Sequence, residues 1–185
     1  MDKAALRERL LAARRALSDE FRQRLGARIQ ERVLSSPVWE TARCLGCYLA
    51  LPDEVPTQRL IVAALAQNKT IAAPVILPGS DHMSYRRFDT LAELRPGPFG
   101  ILQPLQGQEV PSEAINFLLV PGVGFDLQGY RLGYGRGYFD RFLTGYAGYS
   151  LGIAFEVQIV AALPVSLHDR PVRQVLTEER SIFAA

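Results

Sequence analysis

The densest chemistry of the chain lies between Pro121 and Phe142, in the run PGVGFDLQGYRLGYGRGYFDRF. Gly133, Gly135 and Gly137 alternate with Tyr134 and Arg136; Arg131 precedes them, and Asp140 follows three residues after the last glycine. Glycine lets a backbone adopt positive φ and come close to a ligand, and successive amides can then form a nest for an anion. A helix starting near Gly137 would turn its positive end to the same point. Arg131 and Arg136 suit charge-assisted bonds to phosphate oxygens, and Asp140 suits a hard cation such as Mg²⁺. The spacing is not G-x-G-x-x-G, because Tyr138 stands at the third glycine position, and no G-K-[ST] follows to make a P-loop. The plain alternative is a glycine-rich turn in which Asp140 is only a carboxylate in a first helical turn. Asp126 is expected to bond its own backbone in the turn that ends at Gly129.

The elements that must carry this loop follow from apolar spacing. Leu6, Leu10, Ala13 and Leu17 predict a helix over 2–17, and Phe21, Leu25, Ile29 and Val33 a second over 18–34 behind a Ser18 cap. Their arginines are placed on the outer faces, and Pro37 is expected to close this helical hairpin. Strands are predicted near 43–50, at 70–76, at 83–88 and at 117–121, with another at SLGIAF. A helix is expected from a Thr57 cap and a further one over 137–143, while 95–111 reads as loop. Short apolar strands alternating with helices indicate an α/β fold, with a mostly parallel central sheet covered by helices on both faces. Such sheets bind ligands at the carboxyl ends of their strands. One domain over 1–185 is expected, with residues 1–36 as a helical hairpin packed on it.

Composition narrows the function classes. Hydrophobic residues make up 48% and charged residues 22% of the chain, values of a globular protein with a filled core. Only Lys3 and Lys69 are lysines among 21 basic residues, and residues 1–34 hold nine basic against five acidic groups. That asymmetry suits an anion-binding face or a solvated helix pair equally. Interspersed acids and the lack of an aromatic stacking platform argue against nucleic acid. No apolar run is long enough to span a bilayer and no secretory h-region is seen, so a cytoplasmic protein without a membrane partner is expected. Cys44 and Cys47 form a lone C-x-x-C; with no second ligand pair, and residues three apart on a strand facing opposite ways, core packing is the favoured reading.

The stretch Phe125 to Arg141 fits F-D-x-x-G-x-R-L-G-x-G-x-G-Y-[YF]-D-R and resembles the signature of the 5-formyltetrahydrofolate cyclo-ligases, also called 5,10-methenyltetrahydrofolate synthetases. Other stretches agree in order: Lys3 and Arg7 as K-x-x-x-R, Glu54 to Thr57 as E-x-x-T, Gly100-Ile101 to Pro104 as G-I-x-x-P, and His168-Asp169 in P-x-x-x-H-D. The resemblance implies that ATP and Mg²⁺ drive 5-formyltetrahydrofolate to 5,10-methenyltetrahydrofolate with release of ADP and phosphate. It implies phosphate contacts for Lys3 and Arg7, and a nucleotide wrapped by Arg131 and by Gly133, Tyr134, Gly135, Arg136, Gly137, Tyr138 and Phe139. Arg131, Arg136 and Tyr138 would act at the reacting centre. Tyr134 and Tyr138 would also face the folate, Leu49 and Glu54 would line the pterin pocket, and Asp140 and Asp169 would hold the metal. A monomer is expected. Three positions depart from the family pattern: Arg136 replaces the usual Gly or Lys, Gln103 stands where an acid is common, and Arg173 where Asp is. A non-catalytic folate- or nucleotide-binding member is the alternative.

Overall fold

Local signals set the helix boundaries. Asp2 caps α1 (Lys3–Ala16) by accepting the Ala5 N–H at 2.8 Å, and Ser18 caps α2 (Asp19–Leu34) by accepting that of Phe21 at 3.3 Å. Each bond satisfies an amide that lacks a partner within its helix. Pro37 does not simply end the pair. It opens a third short helix, α3 (Pro37–Thr41), where its missing N–H has no consequence, and Ser36 caps it through Trp39. The computed structural model describes residues 2–77 and 79–184.

The chain then runs through β1 (Cys44–Gly46), α4 (Gln58–Ala66), β2 (Thr70–Ile76), β3 (Met83–Arg87), β4 (Arg95–Pro96), β5 (Leu102–Gln103), β6 (Glu109–Val110) and β7 (Phe117–Val120). It continues through β8 (Gly124–Asp126), β9 (Arg131–Leu132), α5 (Tyr138–Leu143), β10 (Tyr149–Ile153), β11 (Ile159–Val160), β12 (Gln174–Leu176) and β13 (Ser181–Phe183). Eight strands form the main sheet in the order β13-β12-β10-β7-β1-β2-β3-β6. The five central strands, β12 to β2 in that order, are parallel, and antiparallel pairings finish both edges. β8, β9 and β11 make a separate three-stranded sheet, and β4 pairs with β5.

Alternation along the strands divides the core. Phe117 and Leu119 face Ile29, Val33, Trp39, Leu60 and Ile61 from α2, α3 and α4. Leu118 and Val120 face Leu143 of α5 and Phe125 of β8. Cys44 and Cys47 fall on these two opposite sides, both buried, and burial pushes the Cys47 thiol up to about 12. That is an inert core residue, as the strand spacing suggested. The two N-terminal helices take different neighbours. α2 joins the main core, whereas Leu6 and Leu10 of α1 pack on Val123, Leu132 and Leu163 beside the small sheet.

Three further local expectations differ. Residues 95–111, read as loop, carry the short paired strands β4, β5 and β6. The first strand covers only Cys44–Gly46, because beyond Cys47, whose amide still bonds to Ala72 O, the chain leaves the sheet toward the Asp53 loop. Thr57 does not cap α4: its hydroxyl donates to Tyr48 O at 2.9 Å, and Gln30 of α2 accepts the Arg59 N–H instead.

Candidate active site

The sheet reverses its order of filling at β1. β2 and β3 lie to one side, and the chain then crosses to β7 on the other. A cavity of about 620 Å³ opens there, walled by Tyr48 and Leu49 after β1, Ile76 ending β2, and Pro121 and Gly122 after β7. This is the crevice that parallel topology creates at strand carboxyl ends.

One half of the cavity is charged. Helix α1 brings Lys3 and Arg7 one turn apart to its rim. Lys3 Nζ lies 2.5 Å from Asp169 Oδ2 and 3.1 Å from Ser166 Oγ, while Arg7 Nε donates to Gly133 O at 2.8 Å. Arg131 comes from β9 and pairs with Asp140 at 2.8 Å, its guanidinium 5.1 Å from the centre of the Phe139 ring. Burial pulls the Arg131 guanidinium below its ordinary value, and the Asp140 and Asp169 carboxylates oppose that shift. A Cβ at Gly133 would stand 2.7 Å from the Arg131 guanidinium, which would have to shift, and Gly137 enters α5 at φ 68°. α5 is only six residues long, so side-chain cations rather than a helix dipole supply the positive field.

The other half is apolar. Leu49, Leu51, Ile76, Met83 and Ile101 line it, with Glu54 and Gln103 as its buried polar groups. Glu54 Oε2 accepts the Leu51 N–H at 3.0 Å, and burial raises its carboxyl above the ordinary carboxylate value. Gln103 Oε1 accepts the Ile76 N–H at 3.1 Å. Between the halves runs the glycine loop. Tyr134, Gly135 and Arg136 are exposed at its crest and all three border the cavity. Tyr138 and Phe139 border it while packing partly on the core, and the Tyr138 hydroxyl donates to Ser80 O at 3.2 Å. Every residue that the resemblance gave a role toward nucleotide, folate or metal, from Lys3 and Leu49 to Asp140 and Asp169, therefore borders one cavity. Asp126 stands apart and braces its turn, accepting the Gln128, Tyr130 and Leu163 amides.

A model of the 5-formyltetrahydrofolate cyclo-ligase family matches residues 1–178. The chain belongs to that family. The 5-formyltetrahydrofolate cyclo-ligase of Mus musculus is 32% identical over 96% of this chain and 94% of its own length; that of Escherichia coli K12 is 31% identical over 90% and 95%. The solved 5,10-methenyltetrahydrofolate synthetase of Aquifex aeolicus superposes with a TM-score of 0.87 at 34% identity, covering 99% of this chain and 93% of that one. A synthetase from Mycoplasma pneumoniae, at 22% identity and a TM-score of 0.79, shares the fold. This cyclo-ligase family member is thus an enzyme of the ligase class.

Sequence reasoning about this cyclo-ligase chain missed one buried residue. Arg14, placed with the other helix arginines on an outer face, is 0% exposed and lies behind the cavity wall. Charge suggested solvent, yet the spacing held the signal: Lys3, Arg7, Leu10 and Arg14 follow one another by four, three and four residues, which is one helix face. Arg32 also turns inward, bonding Thr177 O and Arg180 O.

The carboxylates can be tested for a metal. Among the described residues no group of three or more His, Cys, Asp or Glu converges, so an all-protein cage is not formed. Asp140 Oδ1, however, is buried without a hydrogen-bond partner. An orphaned carboxylate oxygen beside the basic side of the cavity fits Mg²⁺, which is held by one or two carboxylates and otherwise by water and substrate phosphates.

Proposed function

We propose that the protein converts 5-formyltetrahydrofolate and ATP into 5,10-methenyltetrahydrofolate, ADP and phosphate. The observation that carries this reading is the single cavity whose basic half, bearing Lys3, Arg7 and Arg131, is continuous with an apolar half holding Glu54. A nucleotide's phosphates and a pterin placed in these halves would meet at the glycine loop.

A formamide carbon is a poor electrophile, and direct ring closure would have to expel hydroxide. Transfer of the γ-phosphoryl group to the formyl oxygen, with ADP leaving, turns that oxygen into a phosphate leaving group. The neighbouring anilino nitrogen then bonds to the formyl carbon, loses its proton, and phosphate departs. Such transfer asks a protein mainly for alignment and charge neutralisation. Lys3, Arg7, Arg131 and Arg136 are assigned to the phosphate oxygens, with the loop from Gly133 to Phe139 around the nucleotide. Leu49, Glu54, Tyr134 and Tyr138 are assigned to the folate. Asp140 and Asp169 would hold Mg²⁺, which when bound neutralises phosphate charge. In the free protein Lys3 and Arg131 cover those same carboxylates, so both cations are already at hand for the phosphates.

Purified protein given Mg-ATP and 5-formyltetrahydrofolate should develop the near-ultraviolet absorbance of the methenyl product with one ADP released per turnover. Binding of both ligands without product would overturn the catalytic reading in favour of a binding module.

A further inference from the structure

Among the described residues Arg14 is the one arginine with no exposed surface, and its partners explain why it is there. Its Nη2 donates to Asp53 Oδ2 and to the Tyr134 hydroxyl, each at 2.8 Å; its Nη1 donates to Gly122 O at 3.5 Å and lies 4.0 Å from Glu54 Oε1. One guanidinium thus touches three segments at the carboxyl end of the sheet: the loop after β1, the loop after β7, and the glycine loop. Taking a guanidinium out of water is expensive, and an apolar residue of similar size would pack at lower cost. Its Nε is left without a partner, so the site is not tuned for stability alone. Burial opposes the charge of Arg14, and the bonds to Tyr134 and Asp53 more than restore it, so the group stays a cation.

We propose that Arg14 is a positioning residue that latches the glycine loop to the Asp53–Glu54 loop, so that filling one half of the cavity raises the affinity of the other. The inference rests on the assignment of nucleotide to the glycine loop and folate to the Glu54 side. Arg14 touches neither ligand pocket directly; it acts through Tyr134 and Glu54, both of which border the cavity. Because the Tyr134 oxygen accepts from Arg14, its own proton remains to be donated, and Glu54 is the acidic group that feels it. A ligand that orders either loop therefore removes part of the ordering cost that the second ligand would otherwise meet.

The test has two arms. In calorimetric titrations with a non-hydrolysable ATP analogue and Mg²⁺, the parent should bind 5-formyltetrahydrofolate about tenfold more tightly than without nucleotide. In Tyr134→Phe and in Arg14→Met that ratio should fall to near one, whatever happens to either affinity alone. A variant ratio equal to the parent's, or a parent with no coupling, overturns the proposal. The second arm needs no ligand. By hydrogen exchange, Asp53→Asn should speed the amides of residues 133–137, and Tyr134→Phe those of 51–55, by several-fold to about tenfold. Each substitution is read in the loop it does not belong to, so unchanged exchange there defeats the latch even if Arg14→Met fails to fold. Failure of the parent to bind folate, with reciprocal exchange intact, would sink the ligand assignment and the coupling but leave the mechanical link standing.

Discussion

At the scale of single residues, Asp140 has two tasks that pull apart on mutation. One oxygen balances a nearly buried Arg131 and the other is the orphan that suits a metal. Asp140→Ala should lower kcat at least about 100-fold, the order expected when a group stabilising transition-state charge is removed. It should also destabilise the fold by about 3 kcal/mol, because Arg131 is left buried without its partner. Steady-state rates and urea unfolding separate the two effects, and a stable, fully active variant would contradict both. Glu54 supplies a pH signature. Its folded carboxyl lies above the ordinary 4.5 because of burial, so folding takes up a proton there. Its contribution to stability is complete below the ordinary value and is lost as pH rises through the raised one. Glu54→Gln, which cannot ionise, should therefore lose less stability than the parent as pH rises from the ordinary carboxylate range through the raised value, read in urea titrations.

At the scale of elements, legibility followed length. α1 and α2 stood out because apolar residues recur at helical spacing along 14 and 16 residues, and β2 because it is an apolar run of seven. β8, β9 and β11 hold two or three residues apiece, too few for any period, yet they place Arg131 and support α1. The glycine loop was legible as chemistry before the small sheet that carries it was legible as structure. Arg14 was missed for a different reason: a charged residue was assigned to solvent although its helical position matched Lys3 and Arg7. The start of α4 shows an element completed from outside. Gln30 of α2 accepts the Arg59 amide in place of a local cap. Gln30→Ala should cost about 1 kcal/mol in unfolding experiments, the size of a lost cap, with kcat unchanged because Gln30 lies outside the cavity.

At the scale of the whole molecule, the parallel core and the reversal at β1 decide where the cavity opens, and that much was foreseeable from alternating strands and helices. The reach of the terminal segments was not, since it depends on pairing residues far apart in the chain. Binding at this crevice should stabilise everything packed around it. Mg-ATP at about 100 times its Kd should add about 2.7 kcal/mol, raising Tm by roughly 5–10 °C for a chain of this size. ATP with a chelator should give a smaller shift in scanning calorimetry, and an equal one would count against a metal at Asp140. The Lys3–Asp169 pair joins residues 166 positions apart. Because Asp169 is synthesised after Lys3 and everything between them, the charged end of the cavity cannot close on a ribosome until that whole segment has emerged.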